Sequence, residues 1–291
     1  MSSANPRGIA RFSLVRIVLA ILATCLPIAI VLILAHQIPD KALRAVWPQL
    51  LAAVLGVAGY LQYVRRIEGR PAFELGRQGL WRELCAGMAF GGLLLVAILG
   101  ILAAAGSYRI LGVGDASRLA KACAEMLLVA LAEEIVFRGV LFRIPERALG
   151  TRTALILSSV LFALAHLPNE HITVLAVANT AAAGLMFGAA YLVTRRLWLP
   201  VGIHFAWNFL SDAVFSLPTS GQPARGLLLG RLSGPEWLSG GDYGVEASAV
   251  TLAALAAATV VLMLLARRRR QRLAEAASGA RGPGRIGGRL A

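Results

Sequence analysis

Uninterrupted apolar stretches recur along the chain, separated by short polar segments. A stretch of about 20 apolar residues crosses the roughly 30 Å hydrocarbon core of a bilayer as an α-helix. Eight segments are predicted as spanning helices, over residues 15–35, 46–64, 84–106, 119–143, 153–168, 172–194, 198–216 and 247–266. The pattern predicts an all-α, polytopic helical bundle, with residues 1–291 forming a single membrane domain.

Composition and charge place this bundle in the membrane. Hydrophobic residues make up 58% of the chain, and the mean hydropathy is +0.71. The net charge of +14 would suggest nucleic acid in a soluble protein, but these basic residues sit in loops and tails. The predicted partner is therefore the lipid bilayer and not nucleic acid. The Ala-, Gly- and Arg-rich composition is typical of a bacterium with a GC-rich genome.

The distribution of basic residues predicts the orientation. With the N-terminus inside, the inner segments carry 21 Lys and Arg residues and the outer segments carry 7. Cytoplasmic loops carry the excess of positive charge in membrane proteins. We expect a multi-pass protein of the inner (cytoplasmic) membrane with both termini in the cytoplasm. The basic, Gly-rich residues 267–291 are predicted to form a disordered cytoplasmic tail.

The fourth predicted helix contains three charges. Glu133, Glu134 and Arg138 lie inside an apolar segment, where each charge costs about 2.5–3.5 kcal/mol on insertion scales. Glu134 and Arg138 are four residues apart, the spacing at which side chains meet on one helix face. These two are predicted to form an ion pair. Glu133 points about 100° away, which leaves it as a candidate general base or acid.

Two other predicted helices carry polar residues at helical spacing. Phe162 and His166 share one face, and His204 and Asn208 share another. At about 1.5 Å per residue, Glu133, His166 and His204 lie roughly 13, 18 and 10 Å from the inner ends of their helices. The depths predict one polar cavity in the inner half of the membrane. A carboxylate, two imidazoles and an amide can together activate water and stabilise an oxyanion.

These positions form three short motifs. Glu-Glu-x-x-x-Arg spans Glu133–Arg138, Phe-x-x-x-His spans Phe162–His166, and His-x-x-x-Asn spans His204–Asn208. In this order and on separate helices, they resemble the CPBP intramembrane proteases, which are related to the CAAX prenyl endopeptidases. The resemblance covers about residues 119–212, which we take as the catalytic core.

The resemblance implies an endopeptidase that hydrolyses peptide bonds of membrane-embedded or lipid-anchored proteins or peptides. Its catalytic residues would be Glu133, His166, His204 and Asn208. Glu133, helped by His166, would activate water, and His204 and Asn208 would stabilise the oxyanion or hold a metal. Structural support would come from Glu134, Arg138 and Phe162. The cavity would open to the cytoplasmic half of the membrane.

Two alternatives stay open. The family is often described as metalloproteases, and His166, His204 and Glu133 could form an open zinc site. However, the chain has no His-Glu-x-x-His pairing, and asparagine is a poor zinc ligand, so a metal-free glutamate mechanism without a cofactor is favoured. The alternative from another class is a non-catalytic membrane scaffold or small-molecule carrier that uses the same cavity for binding.

Overall fold

The computed structural model describes residues 13–224 and 226–279. Within them, nine α-helices and two short strands follow one another along the chain. They are α1 Ser13–His36, α2 Trp47–Arg66, α3 Leu80–Ala104, β1 Tyr108–Val113, α4 Leu119–Glu134, α5 Arg143–Ala165, α6 Val174–Thr194, α7 Trp198–Phe209, β2 Leu228–Leu232, α8 Glu236–Ser239 and α9 Ala249–Gly279. Two π-helical segments, Ile135–Phe142 and Leu210–Val214, continue α4 and α7 without a break.

The chain is a multi-pass helical membrane protein. Among the described residues, five helical stretches are long and apolar enough to cross a bilayer, namely Ser13–His36, Leu80–Ala104, Ala116–Ala165, Val174–Thr194 and Ala249–Ala276. The third has 50 residues, more than one crossing requires, and it is interrupted at Gly150, whose φ is 78°. The all-α prediction is confirmed, and the number of eight spans stays a prediction.

Large apolar side chains cover the outside of the bundle. Leu22 on α1 is 52% exposed, Leu93 on α3 is 70% exposed and Val260 on α9 is 59% exposed. A soluble monomer rarely exposes apolar surface on so many helices. These faces are therefore the ones that contact lipid.

The last helix ends later than predicted. Helix α9 continues to Gly279, so the disordered tail predicted from residue 267 is wrong for residues 267–279. Arginine, leucine, alanine and glutamate favour the helix here, and the Arg269 guanidinium donates to the Val193 carbonyl at 2.7 Å. Residues 280–291 lie outside the described part of the chain.

A small sheet, which the apolar pattern did not predict, joins two loops at one end of the bundle. Strands β1 and β2 pair antiparallel, with Tyr108 opposite Leu232. The loop that contains β2 also carries α8 and two 3₁₀ turns before α9 begins. The long segment between the last two spans is therefore folded onto the bundle.

A close contact between α3 and α7 sets the position of α7. The two helices meet at Gly87 and Gly202, where a Cβ atom on Gly87 would lie 2.3 Å from the Leu199 carbonyl oxygen. Only a residue without a side chain permits this approach. Because α7 carries His204, the contact also fixes the position of one candidate site residue.

Substitution of Gly87 tests this contact. We expect Gly87→Ala to force α3 and α7 apart and lower the free energy of unfolding by about 1–3 kcal/mol, as overpacking does. The matched control is Gly100→Ala on the same helix, where a Cβ atom meets nothing within 4 Å. Thermal unfolding in detergent compares the two variants, and equal midpoints would contradict the contact.

Candidate active site

A cavity of about 340 Å³ lies among α4, α5, α6, α7 and α9. Its wall includes the four predicted catalytic residues Glu133, His166, His204 and Asn208. Residues from three predicted helices thus line one internal cavity, in agreement with the similar depths that the sequence predicts for them.

The predicted ion pair of α4 is present and fully buried. An Arg138 Nη atom donates to Glu134 Oε1 at 2.8 Å, and both side chains are 0% exposed. The other Arg138 Nη atom donates to the Gly184 carbonyl at 3.1 Å. The guanidinium also lies 4.7 Å from the Phe162 ring centroid and 5.0 Å from that of Phe187. Two hydrogen bonds and two aromatic faces therefore replace the water that this charge lost.

His204 lies between the two glutamates. Its Nδ1 is 3.0 Å from Glu134 Oε1, and its Nε2 is 3.8 Å from Glu133 Oε2. Because an ionised carboxylate only accepts hydrogen bonds, Nδ1 carries a hydrogen atom and donates a hydrogen bond to Glu134. The imidazole stacks on the Phe187 ring, with centroids 4.7 Å apart. Glu134 thus orients His204 as well as pairing with Arg138, a second contact that the sequence did not predict.

His166 caps the end of α5 and is also oriented by a backbone group. Its Nδ1 lies 2.7 Å from the Phe162 carbonyl, to which it donates, so Nε2 is left for the cavity. The Phe162 ring packs 4.6 Å from the imidazole and 6.3 Å from that of His204. Phe162 therefore separates the two histidines, and its predicted role as structural support agrees with this packing.

Glu133 is the more accessible carboxylate. Its side chain is 29% exposed, whereas that of Glu134 is 0% exposed. Within the described residues, Glu133 Oε2 has no hydrogen-bond partner. Asn208 is half-buried on the same cavity wall, one helical turn beyond His204. Glu134 is thus paired with Arg138, as spacing predicted, whereas Glu133 makes no hydrogen bond within the described residues and has His204 Nε2 at 3.8 Å.

Several polar residues of the cavity were missed by the sequence analysis. Asp212 follows Asn208 by four residues on the π-helical end of α7, so helical spacing could have indicated it. Glu246 accepts from the Trp207 indole and the Ser220 hydroxyl, both at 2.8 Å, and nothing in its local sequence signals this.

The cavity extends toward one end of the bundle. Asn169, Thr219, Ser220, Gln222 and Glu246, which line it, all belong to loops at the end that carries the β1–β2 sheet. The charge asymmetry of the sequence predicts that this end faces the outer side of the membrane. If both termini are cytoplasmic, the sheet end lies outside, and the cavity extends toward the outer side. The prediction of cytoplasmic termini therefore conflicts with the prediction that the cavity opens to the cytoplasmic half.

The candidate zinc ligands do not converge as they lie. Each histidine uses Nδ1 in a hydrogen bond, His166 to the Phe162 carbonyl and His204 to Glu134, and leaves Nε2 available. A histidine held in this way is suited to metal ligation. In residues 13–224 and 226–279, however, no group of three His, Cys, Asp or Glu donors is close enough to hold an ion. The set His166, His204 and Glu133 thus does not fit zinc in this arrangement.

The buried pair leads to a stability prediction. Glu134→Gln leaves Arg138 charged and unpaired, so we expect the free energy of unfolding to fall by about 3–5 kcal/mol. The control is Glu125→Gln on the same helix, which breaks the exposed i,i+4 pair with Lys121 and should cost below about 1 kcal/mol. Thermal unfolding in detergent measures both, and similar losses would contradict the burial argument.

Comparison with known families agrees with the motifs. Residues 116–210 match the family model described as Type II CAAX prenyl endopeptidase Rce1-like. No curated protein and no solved structure matches the chain. The matched segment contains all three motifs and confirms the resemblance drawn from them. The segment 116–210 is therefore similar to the Rce1-like CAAX prenyl endopeptidases, a family of membrane proteases.

Proposed function

We propose that Glu133 is the general base of a metal-free peptide hydrolysis. The observation that carries the proposal is the position of His204 between an enclosed carboxylate, Glu134, and an accessible one, Glu133. Glu134 already bonds Arg138 and His204. Both glutamates have an Oε2 without a partner among the described residues, but only Glu133 lines the cavity.

The charges of the cluster support a cationic His204. Glu133 and Glu134 bring two negative charges, and Arg138 brings one positive charge. An imidazolium at His204 makes the group neutral, which a low-dielectric site requires. Its Nδ1–H then donates to Glu134, and its Nε2–H is free to donate into the cavity.

The reaction proposed from these groups is direct attack by water. Glu133 takes a proton from the water as its oxygen bonds to the scissile carbonyl carbon. The oxyanion that forms accepts hydrogen bonds from His204 Nε2–H and the Asn208 amide. Glu133 then returns the proton to the amide nitrogen, the C–N bond breaks, and a new carboxyl and a new amine leave. His166 Nε2 helps to hold the water.

Substitution of Glu133 is the first test. We expect Glu133→Gln to lower the cleavage rate by about 10²–10⁴-fold, because an amide cannot take the proton. The readout compares protein termini in membranes from cells that express wild type or variant. Glu125 is a half-exposed residue of the same helix and is not part of the cavity wall. The Glu125→Gln variant should therefore cleave like wild type. Unchanged cleavage by a folded Glu133→Gln protein would refute the mechanism.

The metal question has its own test. We expect active purified protein to contain no stoichiometric zinc and to keep its activity after dialysis against a chelator. Elemental analysis and the cleavage assay are carried out on the same sample. Stoichiometric zinc that is lost together with activity, and restored together with it, would overturn the metal-free mechanism.

A further inference from the structure

The two ends of the bundle differ in charge. One end carries the loop between α2 and α3, the α5 N-terminus, the α6–α7 turn and the C-terminal part of α9. The basic residues there include Arg65, Arg66, Arg70, Arg77, Arg82, Arg143, Arg147, Arg152, Arg195, Arg196 and Arg267–Arg270. By the positive-inside tendency, this basic end faces the cytoplasm.

The basic end is closed by packing. Between Glu133 and this end lie Val140, Phe142 and Tyr60, each 0% exposed. The Tyr60 hydroxyl bonds the Glu74 carboxylate at 2.5 Å and the Gly139 carbonyl at 3.1 Å. The loop residues that line the cavity, by contrast, all lie toward the other end.

A network of ion pairs stabilises the packed layer around Tyr60 and Phe142. Arg143 donates to both oxygens of Glu68 at 2.9 Å, and Arg70 donates to Glu68 and Glu74. Burial raises the pKa of Glu68, but the hydrogen bonds and charges of Arg143 and then Arg70 outweigh burial and lower it from 4.5 to about 2. The network thus stays ionised at neutral pH and ties the loop between α2 and α3 to the start of α5.

The opposite end is open and polar. Asn169 belongs to the loop before α6, and Ser220 and Gln222 belong to the loop after α7. Gln222 is exposed, and the other two are half-buried. These amide and hydroxyl groups offer donors and acceptors to an extended peptide backbone along the way to Glu133.

We propose that water and substrate reach Glu133 from the extracytoplasmic end of the bundle. The substrate class follows, and this part rests on the proposed hydrolysis: membrane-anchored polypeptides whose scissile bond lies in the outer half of the bilayer or just beyond it. A prenylated C-terminus presented in the cytoplasm would meet the closed, basic end.

Cysteine accessibility tests the side of access without requiring activity. Cys25, Cys85 and Cys123 are replaced by alanine, and Gln222→Cys is compared with its matched control Gln78→Cys, an exposed glutamine at the basic end. We expect a membrane-impermeant maleimide to label Gln222→Cys in sealed spheroplasts and Gln78→Cys only after permeabilisation. Absence of label at Gln222→Cys before permeabilisation would overturn the proposal, as would the reverse pattern. If Gln222→Cys fails to fold, Asn169→Cys takes its place.

Mapping of cleavage sites tests the substrate class. Termini that are present with wild type and absent with Glu133→Gln should lie in extracytoplasmic or outer-leaflet segments of membrane-anchored proteins. Sites confined to cytoplasmic segments would overturn the substrate class. The two tests separate the proposals. If the labelling is as expected but Glu133→Gln is fully active, only the hydrolytic mechanism is refuted. If Gln222→Cys is labelled only from the cytoplasmic side and Glu133→Gln is inactive, only the proposed side of access is refuted.

Discussion

The hydrogen-bonded chain from Arg138 through Glu134 to His204 is the constraint on which the site depends. A guanidinium that is 0% exposed requires a partner for its charge, and Glu134 supplies it at 2.8 Å. The same Glu134 oxygen also accepts from His204 Nδ1 at 3.0 Å. Because removing one partner of a buried pair leaves an uncompensated charge, the position of His204 depends on both Glu134 and Arg138.

Aromatic side chains shield the Arg138–Glu134–His204 hydrogen bonds from water and restrict their motion. Phe162 and Phe187 cover the guanidinium, and Phe187 also stacks on His204. The contact at Gly87 brings α7 close to α3 and so determines where His204 lies. An imidazole held on one side by a carboxylate and on its face by a ring has little freedom left. Its second nitrogen is thereby aimed at Glu133.

The local spacing of the sequence was enough to predict much of this. The i,i+4 relation separated Glu134 from Glu133 correctly, and the motifs placed the histidines on their own helices. Helix positions followed from apolar length within a few residues, except at the start of α5 and the end of α9, which differ by 10 and 13 residues. The Glu134–His204 contact joins residues 70 positions apart, and no local pattern encodes such a distance. The same limit applies to Glu246, which reaches the cavity from a loop.

Other features depend on tertiary structure that periodicity does not report. The π-helical segment Ile135–Phe142 has the composition of an ordinary apolar helix, and it is specified by packing. The β1–β2 sheet joins two loops that are separated by four helices. Depths counted along single helices could not show which end of the bundle is open, because that depends on how the loops fold over the cavity.

A double-mutant cycle on the cleavage rate tests most directly whether Glu134 acts through His204. Rates are compared for Glu134→Gln, His204→Gln and the double variant, on a substrate found by terminal mapping. If Glu134 contributes to catalysis by holding His204, the double variant should cleave about as slowly as His204→Gln alone. Losses that multiply would show that the two residues act independently, and would contradict the account.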